Sequence, residues 1–115
     1  MTELIKLITN AMQEVKATEI QTCHVTSLTT ITDYMIIGNG RSARQVKAIA
    51  DKIIENTKQH GIKPLGVEGE QQSEWILIDF GDVIAHVMQP ATRDYYQLEK
   101  LWEDGRDADA GSSQI

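Results

Sequence analysis

Residues 75–89 read Trp75-Ile76-Leu77-Ile78-Asp79-Phe80-Gly81-Asp82-Val83-Ile84-Ala85-His86-Val87-Met88-Gln89. Two apolar, β-branched runs flank Gly81-Asp82, a dipeptide suited to a tight turn. The stretch therefore predicts strands over Trp75–Phe80 and Val83–Gln89. A two-residue turn also fixes the register. Phe80 then faces Val83, Ile78 faces Ala85 and Ile76 faces Val87. On the other side Asp79 meets Ile84, Leu77 meets His86 and Trp75 meets Met88. The first face is wholly apolar and must pack on helices. The second mixes an aromatic, an acid, a histidine and a methionine. That is poor core chemistry but good interface chemistry, because Trp and Met are enriched at interface centres. The bland alternative is a half-buried face covered by the terminal helix.

Working outward, apolar residues at helical spacing (Leu4, Leu7, Ile8, Ala11, Met12, Val15) predict a helix over Thr2–Lys16 with Thr2 as cap. A β-branched strand follows at Ile20–Ser27, then a connector at Leu28–Thr32. Asp33–Ile37 is more continuously apolar, as an interior strand is. Gly38-Asn39-Gly40-Arg41-Ser42 is a turn of residues that tolerate positive φ. Ser42 with Gln45 forms a capping-box pattern, opening a helix to Gln59 with Val46, Ile49, Ala50, Ile53 and Ile54 inward. Gly61 ends it as a left-handed cap. Leu65 opens a short edge strand after Lys63-Pro64, and residues 66–70 form a flexible loop. Thr92 caps a last helix to Trp102. On it Tyr95, Tyr96, Leu98, Leu101 and Trp102 make an apolar seam from which one tyrosine must turn outward. The order is αββαβββα, an α+β (or α/β) domain of residues 1–103 around one mixed sheet. Residues 104–115 are small and polar, a disordered tail.

The chain has 115 residues, 41% of them hydrophobic, enough for one domain with a core of its own. Its net charge of −6 argues against nonspecific binding to nucleic-acid backbone or to an anionic membrane. Residues 1–65 carry +2 and residues 66–115 carry −8. The acidic half suits a basic partner, although solubility alone would also explain it. One cysteine, Cys23, builds neither a disulfide framework nor a zinc cluster. The N-terminus lacks signal-peptide features, and no apolar run approaches the ~20 residues of a membrane span. The expectation is a soluble, cytoplasmic protein.

Catalytic candidates are weak. The Gly38–Ser42 turn enters a helix, where free N–H groups can hold phosphate, with Arg41 and Arg44 beside it. Its spacing matches neither a Walker loop nor a dinucleotide fingerprint. Asp33, Glu68, Glu70, Asp79 and Asp82 are metal candidates, but no Asp-x-Asp pair occurs among them. Cys23 and His24 point to opposite faces of a strand and cannot form a dyad. His86 has no evident orienting partner.

Taken together, several segments resemble the ribosomal silencing factor family, also called the RsfS or Iojap family. They are Leu28–Ile37, Gly40–Val46 with Ile49-Ala50-Asp51, Gly66–Glu70, Trp75–Met88 and Tyr96–Trp102. The resemblance covers residues 4–102 and rests on the order and spacing of the segments. It implies a nucleotidyltransferase-like fold without an established catalytic role, hence a non-enzyme with no cofactor or metal. It implies binding to the large ribosomal subunit through ribosomal protein uL-fourteen, a steric block to small-subunit joining under nutrient limitation, and homodimers off the ribosome. On that basis Trp75, Leu77, Ile84 and Met88 would supply apolar contact. Glu68, Glu70, Asp79 and Asp82 would answer basic groups, and Tyr96 and Glu99 would extend the patch. The rival is a nucleotidyltransferase-like enzyme using the Gly-rich turn and Mg²⁺-binding acids.

Overall fold

The hairpin forms with the register that its turn dictates. In the computed structural model, which describes residues 2–25 and 32–100, β4 (Trp75–Asp79) and β5 (Val83–Met88) pair antiparallel. Trp75 meets Met88, Ile76 meets Val87, Leu77 meets His86, Ile78 meets Ala85 and Asp79 meets Ile84. Phe80 lies past the end of β4, yet its N–H still donates to the Val83 carbonyl at 2.9 Å. Gly81 takes φ +91°, and its N–H donates to Asp79 Oδ1 at 2.8 Å. Asp79 thus closes the turn with its own side chain.

The remaining elements are α1 (Thr2–Glu14), β1 (Thr18–His24), β2 (Tyr34–Asn39), α2 (Ala43–Gln59), β3 (Gly66–Glu68) and α3 (Pro90–Tyr96). The five-stranded sheet runs β1-β2-β5-β4-β3. Only β2 and β5 pair parallel, so the sheet is mixed and the fold is α+β. Helices α1 and α2 lie on one face. Ile8, Ala11 and Met12 from α1 and Val46, Ile49, Ala50 and Ile53 from α2 bury against Ile36, Ile76, Ile78, Val83, Ala85 and Val87. Each large aliphatic side chain buried this way contributes about 1.5–3 kcal/mol. This is the packing expected of the apolar hairpin face.

Several element ends differ from the sequence expectation for local reasons. Helix α1 stops at Glu14 rather than Lys16 because Lys16 turns left-handed (φ 64°). The N–H groups of Lys16 and Ala17 then bond Gln13 and Met12 carbonyls, a Schellman closure. Gly61 (φ 76°) closes α2 in the same way. β1 starts earlier than expected, at Thr18, with an irregularity between Thr18 and Gln21 where Glu19 has φ 52°. β2 runs on through Gly38 and Asn39, which were expected in a turn. Gly38 and Gly40 are not there for positive φ. A Cβ on Gly38 would meet Met12 Sδ at 2.9 Å, and one on Gly40 would meet the Val46 backbone nitrogen at 2.9 Å. They allow close helix–strand approach. The expected loop at residues 66–70 begins as edge strand β3, and the chain leaves the sheet at Gly69 (φ 90°).

Ser42 caps α2, its Oγ accepting the Gln45 N–H at 3.1 Å. Helix α3 begins at Pro90 after Gln89, not at Thr92, because the fixed φ of proline suits a first helical turn. It also breaks earlier, at left-handed Gln97 (φ 51°). The expected connector at 28–31, the end of the last helix at 101–102 and the tail at 104–115 lie outside the described residues.

Candidate functional site

The second sheet face is set by the same alternation that builds the first. Sheet pairing lays Glu68, Leu77, His86 and Ile37 in one row across β3, β4, β5 and β2. A neighbouring row holds Asp79, Ile84 and Met35, and another holds Trp75, Met88 and Asn39. Toward β1 and β2 this face closes into a small core of Cys23, Val25, Met35, Ile37 and Met88, with Leu98 packed on it. Toward β4 it stays open. Trp75, Leu77, Asp79 and Ile84 are half-buried, and Glu68, Glu70 and Asp82 are exposed.

Trp75 has a fixed orientation. Its Nε1–H donates to His86 Nδ1 at 3.0 Å, which leaves the proton of the neutral ring on Nε2. His86 is buried, and desolvation pushes its pKa down from 6.5 to about 4. The partner that His86 lacked in the sequence reading is therefore Trp75, its diagonal neighbour across β4 and β5. The Tyr96 ring lies 4.9 Å from the Trp75 ring at 51°, and Tyr95 stands edge-on to Tyr96 at 5.0 Å. Both tyrosines face outward, at 51% and 81% exposure, where only one was expected to.

Arg93 places these tyrosines, and the sequence reading missed it. It is buried, its Nη1 donates to Asn39 Oδ1 at 2.8 Å and to the Glu19 carbonyl, and its Nε donates to Glu99 Oε2 at 3.1 Å. One guanidinium thus ties α3 to the ends of β1 and β2. Two residues expected on a docking surface are buried instead. Glu99 is largely buried and committed to Arg93. Met88 is fully buried in the second core, beside Trp75 on the neighbouring strand.

The acids lie in three places. Asp79 and Asp82 sit at the Gly81 turn, Glu68 lies on β3 opposite Leu77 at the middle of β4, and Glu70 and the overlooked Glu74 lie in the loop that leads into Trp75. Four residues of strand, about 13 Å, separate Trp75 from Asp79. Residues 64–92 contain these five acids and no Lys or Arg. Among the described residues no three His, Cys, Asp or Glu side chains group to hold a metal ion.

Around the Gly38–Ser42 segment some of the N–H groups that the rival reading would use are already paired. The N–H of Gly40 bonds the Met88 carbonyl, that of Arg41 bonds Gln45 Oε1 at 2.6 Å and that of Gln45 bonds Ser42. Cys23 is buried while neighbouring His24 stacks outside on Tyr34 at 4.5 Å, so the two do diverge.

A family profile described as "Ribosomal silencing factor during starvation" matches residues 1–114. The chain is 42% identical over 100 residues to the ribosomal silencing factor RsfS of Chromobacterium violaceum, covering 87% of this chain and 82% of that one. It is 41% identical over 99 residues to the RsfS of Haemophilus influenzae, covering 86% and 97%. A crystal structure of a Chromobacterium violaceum protein matches with a TM-score of 0.87 at 41% identity, covering 89% of this chain and 85% of that one.

Proposed function

The chain belongs to the ribosomal silencing factor family, and from that premise we propose that it represses translation by occupancy. In this reading it binds the large ribosomal subunit at ribosomal protein uL-fourteen, in the cytoplasm, and so denies the small subunit its place when nutrients are short. The observation that carries the reading is the open half of the second sheet face. Trp75, Leu77 and Ile84 keep part of their apolar surface in water, with Tyr96 beside them. A chain that invests large apolar residues in a half-covered face is built to bury them against something else.

The rim gives the docking its polarity. Glu68 and Glu70 flank the apolar strip on its β3 side, and Asp79 and Asp82 bound it at the turn. They steer a basic partner and select against an acidic one. Asp79 has a second duty in closing the turn, so its outward oxygen alone is available for docking. Off the ribosome the same face accounts for self-association, since a second copy would cover the exposed aromatics. No step of this mechanism uses chemistry. The protein works by standing in a place, and its effect follows its abundance.

Co-sedimentation with purified subunits tests the reading. The protein should pellet with large subunits and stay in the supernatant with small ones. Equal pelleting with both would reject it.

A further inference from the structure

The open face contains a cleft with a chemistry of its own. It is a hollow of about 240 Å³ between the β3–β4 loop and α3, lined by Gly69, Gln72, Glu74, Trp75, Thr92 and Tyr96. One wall is the Trp75–Tyr96 pair, whose rings pack against each other 4.9 Å apart at 51°. Its rim carries the exposed Glu74, and a second hollow holding Glu68 and Glu70 shares Gly69 and Gln72 with it. We infer that the cleft beside the packed Trp75–Tyr96 pair seats one lysine or arginine side chain of the partner protein, held by that aromatic wall and the Glu74 carboxylate. This deepens the docking reading above and rests on it.

Two physical arguments and one observation select a cation over an apolar side chain. Ring faces carry negative quadrupole, so a cation over them is attracted, most strongly over Trp. An uncharged occupant would instead strip water from Glu74 without replacing it. Residues 64–92 supply no Lys or Arg to the cleft, and Arg93 is buried against Glu99 and Asn39. The cleft is also built rather than incidental. The bond to His86 fixes the Trp75 ring, and Gly69 (φ 90°) is required, since a Cβ there would collide with the Trp75 carbonyl.

Fluorination of tryptophan withdraws charge from the ring face while leaving its shape nearly constant. With Trp102→Phe, Trp75 is the one tryptophan, and mono-, di- and trifluorotryptophan can be placed there biosynthetically. Affinity for large subunits should fall stepwise, by about tenfold over the series. Affinity that stays flat or rises with fluorination would overturn the cation seat while leaving the docking reading intact. A second measurement uses the unmodified chain without ribosomes. N-acetyl-arginine amide should shift the Trp75 indole N–H signal in NMR spectra, and the uncharged N-acetyl-citrulline amide should not. Equal shifts from both, or none from either, would also overturn the proposal. Discrimination by the cleft in a chain that fails to bind large subunits would sink the docking reading alone.

Discussion

One hairpin carries two faces built from alternate residues, and the two are finished to different degrees. Ile76, Ile78, Val83, Ala85 and Val87 have no exposure, because α1 and α2 cover them. Trp75, Leu77, Asp79 and Ile84, interleaved with them, keep partial exposure. The first face satisfies itself within the chain. The second is completed only halfway, by the Arg93-anchored α3 and the core around Met88. In the proposed reading this difference separates a stabilising face from a docking face: the second carries a tryptophan, a histidine and a rim of acids where more leucine would have closed it.

Substitutions on the two faces should separate these roles. The largest effect belongs to the closed face. Ile76→Ala should cost about 2–5 kcal/mol of unfolding free energy in urea, whereas the half-exposed Ile84→Ala should cost less than about 1.5 kcal/mol. Equal losses would erase the contrast. Acid comes next. His86 is neutral in the fold with a pKa of about 4, and it takes a proton near 6.5 when unfolded. Stability should hold above pH 6.5, fall as pH drops through that window, and be lower by about 3 kcal/mol near pH 4. His86→Gln, which keeps an acceptor for Trp75, should flatten that slope in denaturation curves taken across the same range.

Smaller in free energy is the docking face. Trp75→Ala should weaken large-subunit binding by about 2 kcal/mol, roughly 30-fold, while circular dichroism shows a folded domain. A variant that unfolds but binds normally per folded molecule would make Trp75 a core residue. The smallest effect belongs to neither face. Arg41 and Arg44 are exposed at the start of α2. Replacing both with Ala should change stability by less than about 0.5 kcal/mol and leave repression intact, measured by urea titration and by translation in a cell-free extract.

The sequence was most legible where local rules fix geometry. A two-residue turn admits one register, and β4 and β5 take it pair for pair. Ser42 and Gly61 bound α2 because caps act within a few residues. Legibility failed where distant residues decide. Arg93 reaches Glu19 and Asn39 across 74 and 54 positions, and no local pattern announces that. Its pairing withdrew Glu99 from the face, and packing with Cys23, Val25, Met35 and Ile37 withdrew Met88. The Trp75–His86 bond lay within reach, because a diagonal cross-strand pair follows from a known register. The glycines at 38 and 40 misled because a glycine kept for close approach looks the same in sequence as one kept for positive φ.

Repression by occupancy is tested most directly in a subunit-joining assay by light scattering, with the protein titrated against a fixed amount of large subunit before small subunits are added. Inhibition should rise in proportion to the protein added, saturate near one molecule per large subunit, and reverse on dilution. Inhibition that is complete far below that ratio, grows with incubation time and survives dilution would mean that the protein turns over rather than occupies, and would contradict the steric mechanism.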